Sequence, residues 1–523
     1  MPILNWIGKD KVINHHLDVP YRILDKKYTH NATSSENKII HGDNLEALKS
    51  LLPEYEGRIN CIYIDPPYNT GKEEWLYSDN VSDPKIQRWL ERVVGKEGED
   101  LARDDKWLCM MYPRLKLLYQ LLHKTNGVIF ISIDDYEHAN LKLICDEIFG
   151  ASNFINNIIW QRAYSPVNTK KRFSANHDFI LCYAKNKEMV EFSLKRTDEA
   201  DSRYGNPDND YRGVWTSGDL SVGPAIEEKI YEITTPNGRK VMPPKGYCWR
   251  LTKERFKEFL TDNRIWFGED GGNVPRIKRF KSEVKDGITP MTVWTYNEVG
   301  HTQDAKKEVK AIFPETANPF DTPKSLRLID RILQLGTDEN SIILDSFAGS
   351  ATTAHAVLNL NKEDGGNRRF ILIEMEDYAN DITAERVKRV IAGYGDGKKK
   401  VEGTEGDFSF YELGQPLFLE NEYLNEELPL IEIHRYIWYT ETASKFDEQK
   451  KEHKHLLGIY DNSSYYFFYE KDSLTTLSYE FLDTIKHKSE AYVIYADNCV
   501  LPKEFMAKQN IIFKKIPRDI TRF

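Results

Sequence analysis

The sequence predicts an α/β protein with a parallel central sheet and helices on both of its faces. Two observations lead there. Short apolar runs alternate with amphipathic helical stretches in two blocks, one ending near residue 185 and one from about 314 to 400, which is the rhythm of strand-helix-strand units. Between the blocks, at about 190 to 313, the rhythm gives way to a polar stretch rich in Pro, Gly, Asn and aromatics. An insert that interrupts one domain explains both.

Taken in order, Ile39-Ile40-His41 reads as a short strand that ends in Gly42-Asp43. Asn44 then reads as the cap of a helix with Leu45, Leu48 and Leu52 on one face, stopped by Pro53. The run 59–64 is a buried strand breaking into Asp65-Pro66-Pro67-Tyr68. A helix from about Trp107 carries Met111, Leu115, Leu118 and Leu122, and Asn126-Gly127 closes it. Strand 128–133 leads to Asp134-Asp135 and a helix with Leu141, Ile144 and Ile148 inward, stopped at Gly150. Strands follow at 154–160 and 179–184.

After the insert, Thr322 is the predicted cap and Pro323 the first residue of a helix with Leu326, Ile329 and Leu333 on its stripe. Strand 342–344 opens into Asp345-Ser346-Phe347-Ala348-Gly349-Ser350 and a helix from about Ala351. Strand 370–373 carries Glu374 at its tip, and one more helix ends near Gly393. The expected domains are an arm over 1–35, the two halves of one domain at 36–189 and 314–400, the insert 190–313 and a small C-terminal α/β module at 405–523.

Composition narrows the function. The 523 residues are 29% charged and 40% hydrophobic, those of a soluble globular protein. No apolar stretch reaches the length of a membrane helix, and the N-terminus breaks at Gly8-Lys9-Asp10 before a signal-peptide core can form. A cytoplasmic protein without membrane contact is expected. The six cysteines are scattered without a C-x-x-C pair, so neither a zinc knuckle nor a disulfide framework is encoded. His15-His16 and His453-x-His455 lack a third spaced ligand and read as exposed polar pairs, so no metal site is expected. The net charge is −10, yet it is uneven: residues 401–449 alone carry twelve acids against Arg435 and Lys445. Residues 240–285 carry twelve Lys or Arg against six acids, interleaved with aromatics, a window suited to phosphates.

In a parallel sheet, ligands bind beyond the carboxyl ends of the strands. Asp43, Asp65, Asp345 and Glu374 all fall there. The two prolines of Asp65-Pro66-Pro67-Tyr68 remove backbone donors and fix φ, so the loop is stiff and presents carbonyls outward. A carboxylate and a carbonyl that accept both N–H bonds of a planar exocyclic amine draw electron density back to its nitrogen. Asp65 and the Pro66 carbonyl suit that task, and Tyr68 offers a face for an extruded base. The Asp345 to Ser350 turn lacks G-x-G-x-x-G, and its leading carboxylate suits a ligand with a cationic amino group better than a pyrophosphate. Glu374, 29 residues on, suits ribose hydroxyls. Asp43 suits the cofactor's adenine, or merely caps its helix.

These motifs resemble DNA adenine-N6 methyltransferases of the permuted β order, in which D-P-P-Y comes first and the cofactor motif last; here Asp65 precedes Asp345 by 280 residues. More narrowly, DPPYNTG (65–71), MMYPRLKLL (110–118), GVIFISIDD (127–135), NHDFILCYAKN (176–186), NRIWFGEDGGNVPRIKRF (263–280) and FKKIPRDITRF (513–523) resemble the modification subunit of type III restriction-modification systems. The resemblance implies a permuted seven-stranded Rossmann-like methyltransferase domain with an inserted target-recognition domain, and a C-terminal module for dimerisation or partner binding. It implies S-adenosylmethionine as cofactor, double-stranded DNA as substrate, a homodimer and a restriction (Res) subunit as partner. It assigns Asp65, Pro66, Pro67 and Tyr68 to catalysis and Asp43, Asp345, Phe347, Gly349, Ser350, Glu374, Thr322 and Lys324 to the cofactor. The turn departs from the family pattern at Ser346, where an aromatic is expected, and at Ala351, where a glycine is; Ala351 is expected to sit without strain in a first helical turn. Cytosine-N4 methylation and a catalytically silent DNA-binding subunit are the alternative readings.

Overall fold

The computed structural model describes residues 3–70, 103–419, 421–448 and 454–522. Gly71 and His453 of the motifs above lie outside them. The chain divides into two compact units, Met1–Glu191 with Met291–Phe523, and Phe192–Pro290.

The larger unit is organised by a ten-stranded sheet. In chain order its strands are β1 (Arg22–His30), β2 (Lys38–His41), β3 (Cys61–Ile64), β4 (Val128–Ile133), β5 (Phe154–Trp160) and β6 (Asp178–Ala184). They continue with β7 (Val293–Trp294), β8 (Ile342–Asp345), β9 (Arg369–Glu374) and β10 (Phe408–Pro416). Their spatial order is β1-β10-β2-β9-β8-β3-β4-β6-β5-β7. All seven strands expected from the sequence are present. The six from β10 to β4 run parallel, with Ile371 opposite Lys38, Leu344 opposite Ile62 and Ile64 opposite Ile131. β3, β4 and β8 are buried along their whole length, as parallel strands covered on both faces must be.

Four expectations are corrected here. The sheet is mixed: β6 is antiparallel to both β4 and β5. The N-terminal arm is not separate, because β1 pairs antiparallel with β10 at the sheet's edge. β10, assigned to the C-terminal module, lies inside the main sheet beside β2. The insert is also shorter than 190–313: β7 pairs parallel with β5, and residues from Met291 onward belong to the larger unit.

The helices around the sheet are α1 (Asn44–Tyr55), α2 (Arg103–Leu121), α3 (His138–Cys145), α4 (Thr302–Ile312), α5 (Leu326–Gly336), α6 (Thr352–Asp364), α7 (Glu385–Ala392) and α8 (Leu430–Thr442). Asp43, not Asn44, caps α1, and the helix continues through Pro53. α5 starts at Leu326 with Ser325 as its cap, so Thr322, Pro323 and Lys324 precede the helix instead of opening it. Leu328, Ile329, Ile332 and Leu333 are the buried face of α5, each contributing about 1.5 to 3 kcal/mol of apolar burial. The helix ends close against the sheet: a Cβ at Gly336 would stand 2.9 Å from Cys61 Sγ and 3.0 Å from a Val128 methyl.

Beyond β10, α8 packs with a four-stranded sheet of β11 (Leu456–Tyr460), β12 (Ser463–Phe467), β13 (Ala491–Ala496) and β14 (Ile511–Lys515), in that order. The Tyr439 hydroxyl donates to Glu56 Oε2 at 2.6 Å, tying α8 to the end of α1.

The unit Phe192–Pro290 is built on a three-stranded sheet of Trp215–Asp219, Arg276–Phe280 and Ile265–Trp266. The aromatic residues of its basic-aromatic window are largely internal. Trp249, Phe256, Phe267 and Phe280 are core residues, and the fully buried Lys278 ammonium pairs with Asp208 and Asp210. Arg264 pairs with Asp262 and Glu283. The other ten cations of the window are exposed, so most of the positive charge that suited phosphates remains at the surface of the unit. All six cysteines are free thiols. No helix among the described residues is long and apolar enough to cross a membrane.

Candidate functional site

The carboxyl ends of β3, β8 and β9 open on one cavity of about 330 Å³. Asp65, Pro66, Pro67 and Tyr68 form one wall. Asp345, Phe347, Gly349, Ser350 and Glu374 form another, and Thr322 and Lys324 also line it. The structure thus brings together both motifs, 280 residues apart in sequence. Asp43 is not part of the lining. Its Oδ1 accepts from the Leu45 and Glu46 N–H groups at 2.9 and 3.2 Å, so its role is the helix cap.

The Asp65 loop is held from behind. The Trp107 indole donates to the Pro67 carbonyl at 2.7 Å. Asn69, in the left-handed region at φ 60°, donates to the buried carboxylate of Glu137, which Asn140 also meets at 2.9 Å. Burial pushes the Glu137 carboxyl up to about 7. Asp65 Oδ2 pairs with the Lys324 ammonium, which also lies 4.9 Å from the Tyr68 ring centroid. Its other oxygen, Oδ1, is buried without a hydrogen-bond partner among the described residues. Burial first, then the Asp65 charge, hold the Tyr68 phenol far above its usual range, so it stays neutral.

Asp345 and Glu374 organise the glycine turn. Asp345 Oδ1 accepts from the Phe347 N–H at 3.1 Å and Oδ2 from the Thr353 hydroxyl at 2.5 Å. Glu374 Oε2 accepts from the Gly349 N–H at 2.7 Å and Oε1 from the Glu376 N–H at 3.0 Å. Burial raises both carboxyls, Asp345 to about 7 and Glu374 to about 8. Gly349 has φ 51°, and a Cβ there would meet Phe320 at 3.1 Å. Ser350 is backed by the buried Arg386, whose Nη1 donates to its carbonyl and hydroxyl at 3.0 and 2.9 Å.

Ala351 corrects an expectation. It caps α6 in the left-handed region, φ 62° and ψ 37°, not in an unstrained helical turn. A left-handed alanine costs about 1 to 2 kcal/mol, which a glycine avoids, less what glycine loses in chain entropy. Ala351→Gly is therefore expected to stabilise the protein by about 0.5 to 1 kcal/mol, read as a higher midpoint in denaturant at an unchanged slope.

One contact of an expected site residue and two further residues were not legible in the sequence. Lys324 was expected at the cofactor; it lines the cavity and, because it precedes α5, pairs with the Asp65 carboxylate. Asp178 lines the cavity and accepts from Arg162 Nε at 2.7 Å; because β6 is reversed, its first residue stands at the rim where its neighbours end. Arg114 bonds Asn44, whose amide donates to the Ser346 carbonyl at 3.2 Å. An arginine inside the apolar run of MMYPRLKLL was the available signal. His16, expected exposed, is buried, and its pKa is pushed down to about 4 by that burial. No cluster of metal-binding side chains occurs among the described residues.

Comparison with known proteins agrees with this geometry. A family model described as DNA methylase matches residues 59–385. The type III restriction-modification enzyme StyLTI Mod subunit of Salmonella typhimurium is 34% identical over 421 residues, 74% of this chain and 63% of that protein. The EcoP15I Mod subunit of Escherichia coli is 30% identical over 431 residues, 72% of this chain and 65% of that protein. The type II methyltransferase M.KpnI of Klebsiella pneumoniae is 33% identical over 407 residues, 71% of this chain and 91% of that protein. The alignments thus span slightly less than two thirds of the Mod subunits' length. The family match runs from the strand before Asp65 to the first residue of α7, enclosing both walls of the cavity: this chain belongs to the DNA methylase family.

Proposed function

We propose that the chain transfers a methyl group from S-adenosylmethionine to adenine N6 in double-stranded DNA, as the modification subunit of a type III restriction-modification system. One observation carries the reading: Asp65, whose Oδ1 has no hydrogen-bond partner among the described residues, lines the same cavity as Asp345 and Glu374. The fit to the cofactor rests on this lining. Ser346 Oγ is a second buried polar atom without a partner among the described residues, and each oxygen of Asp345 and Glu374 retains a further lone pair for a ligand N–H or O–H. Asp345, Phe347, Gly349, Ser350, Glu374 and Thr322 are the residues proposed to hold it.

Bound there, S-adenosylmethionine supplies an electrophilic methyl group. The protein supplies position and charge. Asp65 Oδ1 and the Pro66 carbonyl accept the two N–H bonds of the amine, and Tyr68 offers the face of its ring away from Lys324 to the base. Lys324 keeps Oδ2 engaged, so Asp65 presents one oxygen in a fixed orientation. Catalysis of this kind rests on preorganised geometry and requires no strong base. A homodimer and a Res subunit as partner belong to the same proposal, with the C-terminal module as their contact.

Incubation with unmodified DNA and methyl-labelled S-adenosylmethionine tests it. Label in N6-methyladenine supports the reading; label in N4-methylcytosine, or binding without label, overturns it. A pH dependence is also expected. Asp345 and Glu374 ionise only as pH passes about 7 and 8, and a cationic ligand binds their ionised forms better, so affinity for the donor rises from about pH 6 to about pH 9. The ligand-free protein shows the opposite sign. Its raised carboxyls hold protons that the unfolded chain releases, so its stability falls as pH rises from about 4, the ordinary carboxyl range, to about 8, and then levels. Calorimetric titration and denaturant melts at the two ends of the window check both signs.

A further inference from the structure

The loop between β5 and β6 is not used by the site described above. It leaves from Arg162 and returns to Asp178, which line the cavity and pair with each other. Its neck is closed by the Ala163 N–H to Asn176 carbonyl bond at 3.2 Å, and its root by the Tyr164 ring stacked 5.3 Å from His301. Beyond that neck, residues 164–173 are all exposed. This tip holds Lys170, Lys171 and Arg172 and no acid, in a chain of net charge −10. Phe173, which follows them, is 93% exposed.

The tip thus offers a partner three cations and one fully accessible apolar ring side by side. A duplex supplies both complements. Its phosphates attract the cations. Extruding a base for chemistry leaves a gap in the stack, and apolar side chains fill such gaps in proteins that distort DNA. Resting on the reading of the site as a DNA methyltransferase, we propose that this loop grips the duplex beside the extruded base, with Lys170, Lys171 and Arg172 on phosphates and Phe173 against the unstacked bases.

The test uses the full chain and two sets of variants at positions so exposed that folding is unaffected, as thermal melts will show. Binding to a random-sequence duplex is measured across a salt series. Each phosphate contact contributes about 0.9 to the slope of log K against log salt, so Lys170→Gln, Lys171→Gln and Arg172→Gln together lower it by up to about 2.7. Phe173→Ala is expected to slow label transfer to unmodified genomic DNA by about tenfold or more, with donor affinity unchanged. Wild-type slope in the triple variant, or wild-type rate in Phe173→Ala, overturns the inference. Failure of the wild-type chain to label DNA sinks the functional reading instead, and the salt slope then still decides whether the loop contacts phosphates.

Discussion

Asp65→Ala is expected to lower the rate of label transfer by at least about 10² to 10³-fold, the cost of removing one preorganised polar group from a reacting centre, while DNA binding persists. The two effects separate because Asp65 lies at the end of a buried strand inside a cavity, whereas duplex affinity comes mostly from surface cations. The alanine also strips Lys324 of its partner, and that side chain is only 13% exposed, so some stability is lost as well. Asp65→Asn controls for this. It keeps the volume and one acceptor oxygen, and removes the charge that draws electron density toward the amine. Full activity in either variant would refute the assignment of Asp65. Loss of activity with loss of folding in the alanine, but a folded and inactive asparagine variant, would confirm that the carboxylate acts in the reaction.

The second large effect is expected at Glu374. Its two oxygens satisfy the N–H groups of Gly349 and Glu376, so Glu374→Ala leaves two donors unmet, each costing about 1 to 3 kcal/mol where it remains buried. The glycine turn loses the anchor that fixes its shape. Affinity for S-adenosylmethionine is expected to fall by about ten- to a hundredfold, measured by calorimetry on protein shown to be folded by its near-ultraviolet circular dichroism. A folded variant with unaltered affinity would remove Glu374 from the cofactor wall.

How much of this was written plainly in the chain differs from residue to residue. Asp65-Pro66-Pro67-Tyr68 was legible because a carboxylate and two prolines at the end of a buried run have few other uses, and Asp345 and Glu374 because an acid at a strand end within an α/β rhythm points to the rim. Direction was not legible. The apolar run of β6 reads the same for a parallel or an antiparallel strand, so neither its reversal nor Asp178 at the rim followed from it. β1 escaped notice because its middle residues are exposed and it lacks a continuous apolar run. The pairing of Lys324 with Asp65 was hidden for a local reason: Thr322-Pro323 resembles a helix start, yet Ser325 caps α5, and Lys324, just before that cap, is the residue that reaches Asp65. Ala351 gave no warning either, since nothing in an alanine announces a left-handed backbone.

The pairing of β1 with β10, and of β10 with β2, means that segments lying on either side of the two motif-bearing halves in sequence seal one edge of the main sheet. Trimming the chain to its two motif-bearing halves would strip β2 of its neighbour and leave a bare ladder of backbone donors and acceptors beside buried Ile39 and Ile40. Such a fragment is expected to self-associate through that open rung and precipitate, so the smallest well-behaved methylase obtainable from this sequence must keep both its beginning and residues 408–416.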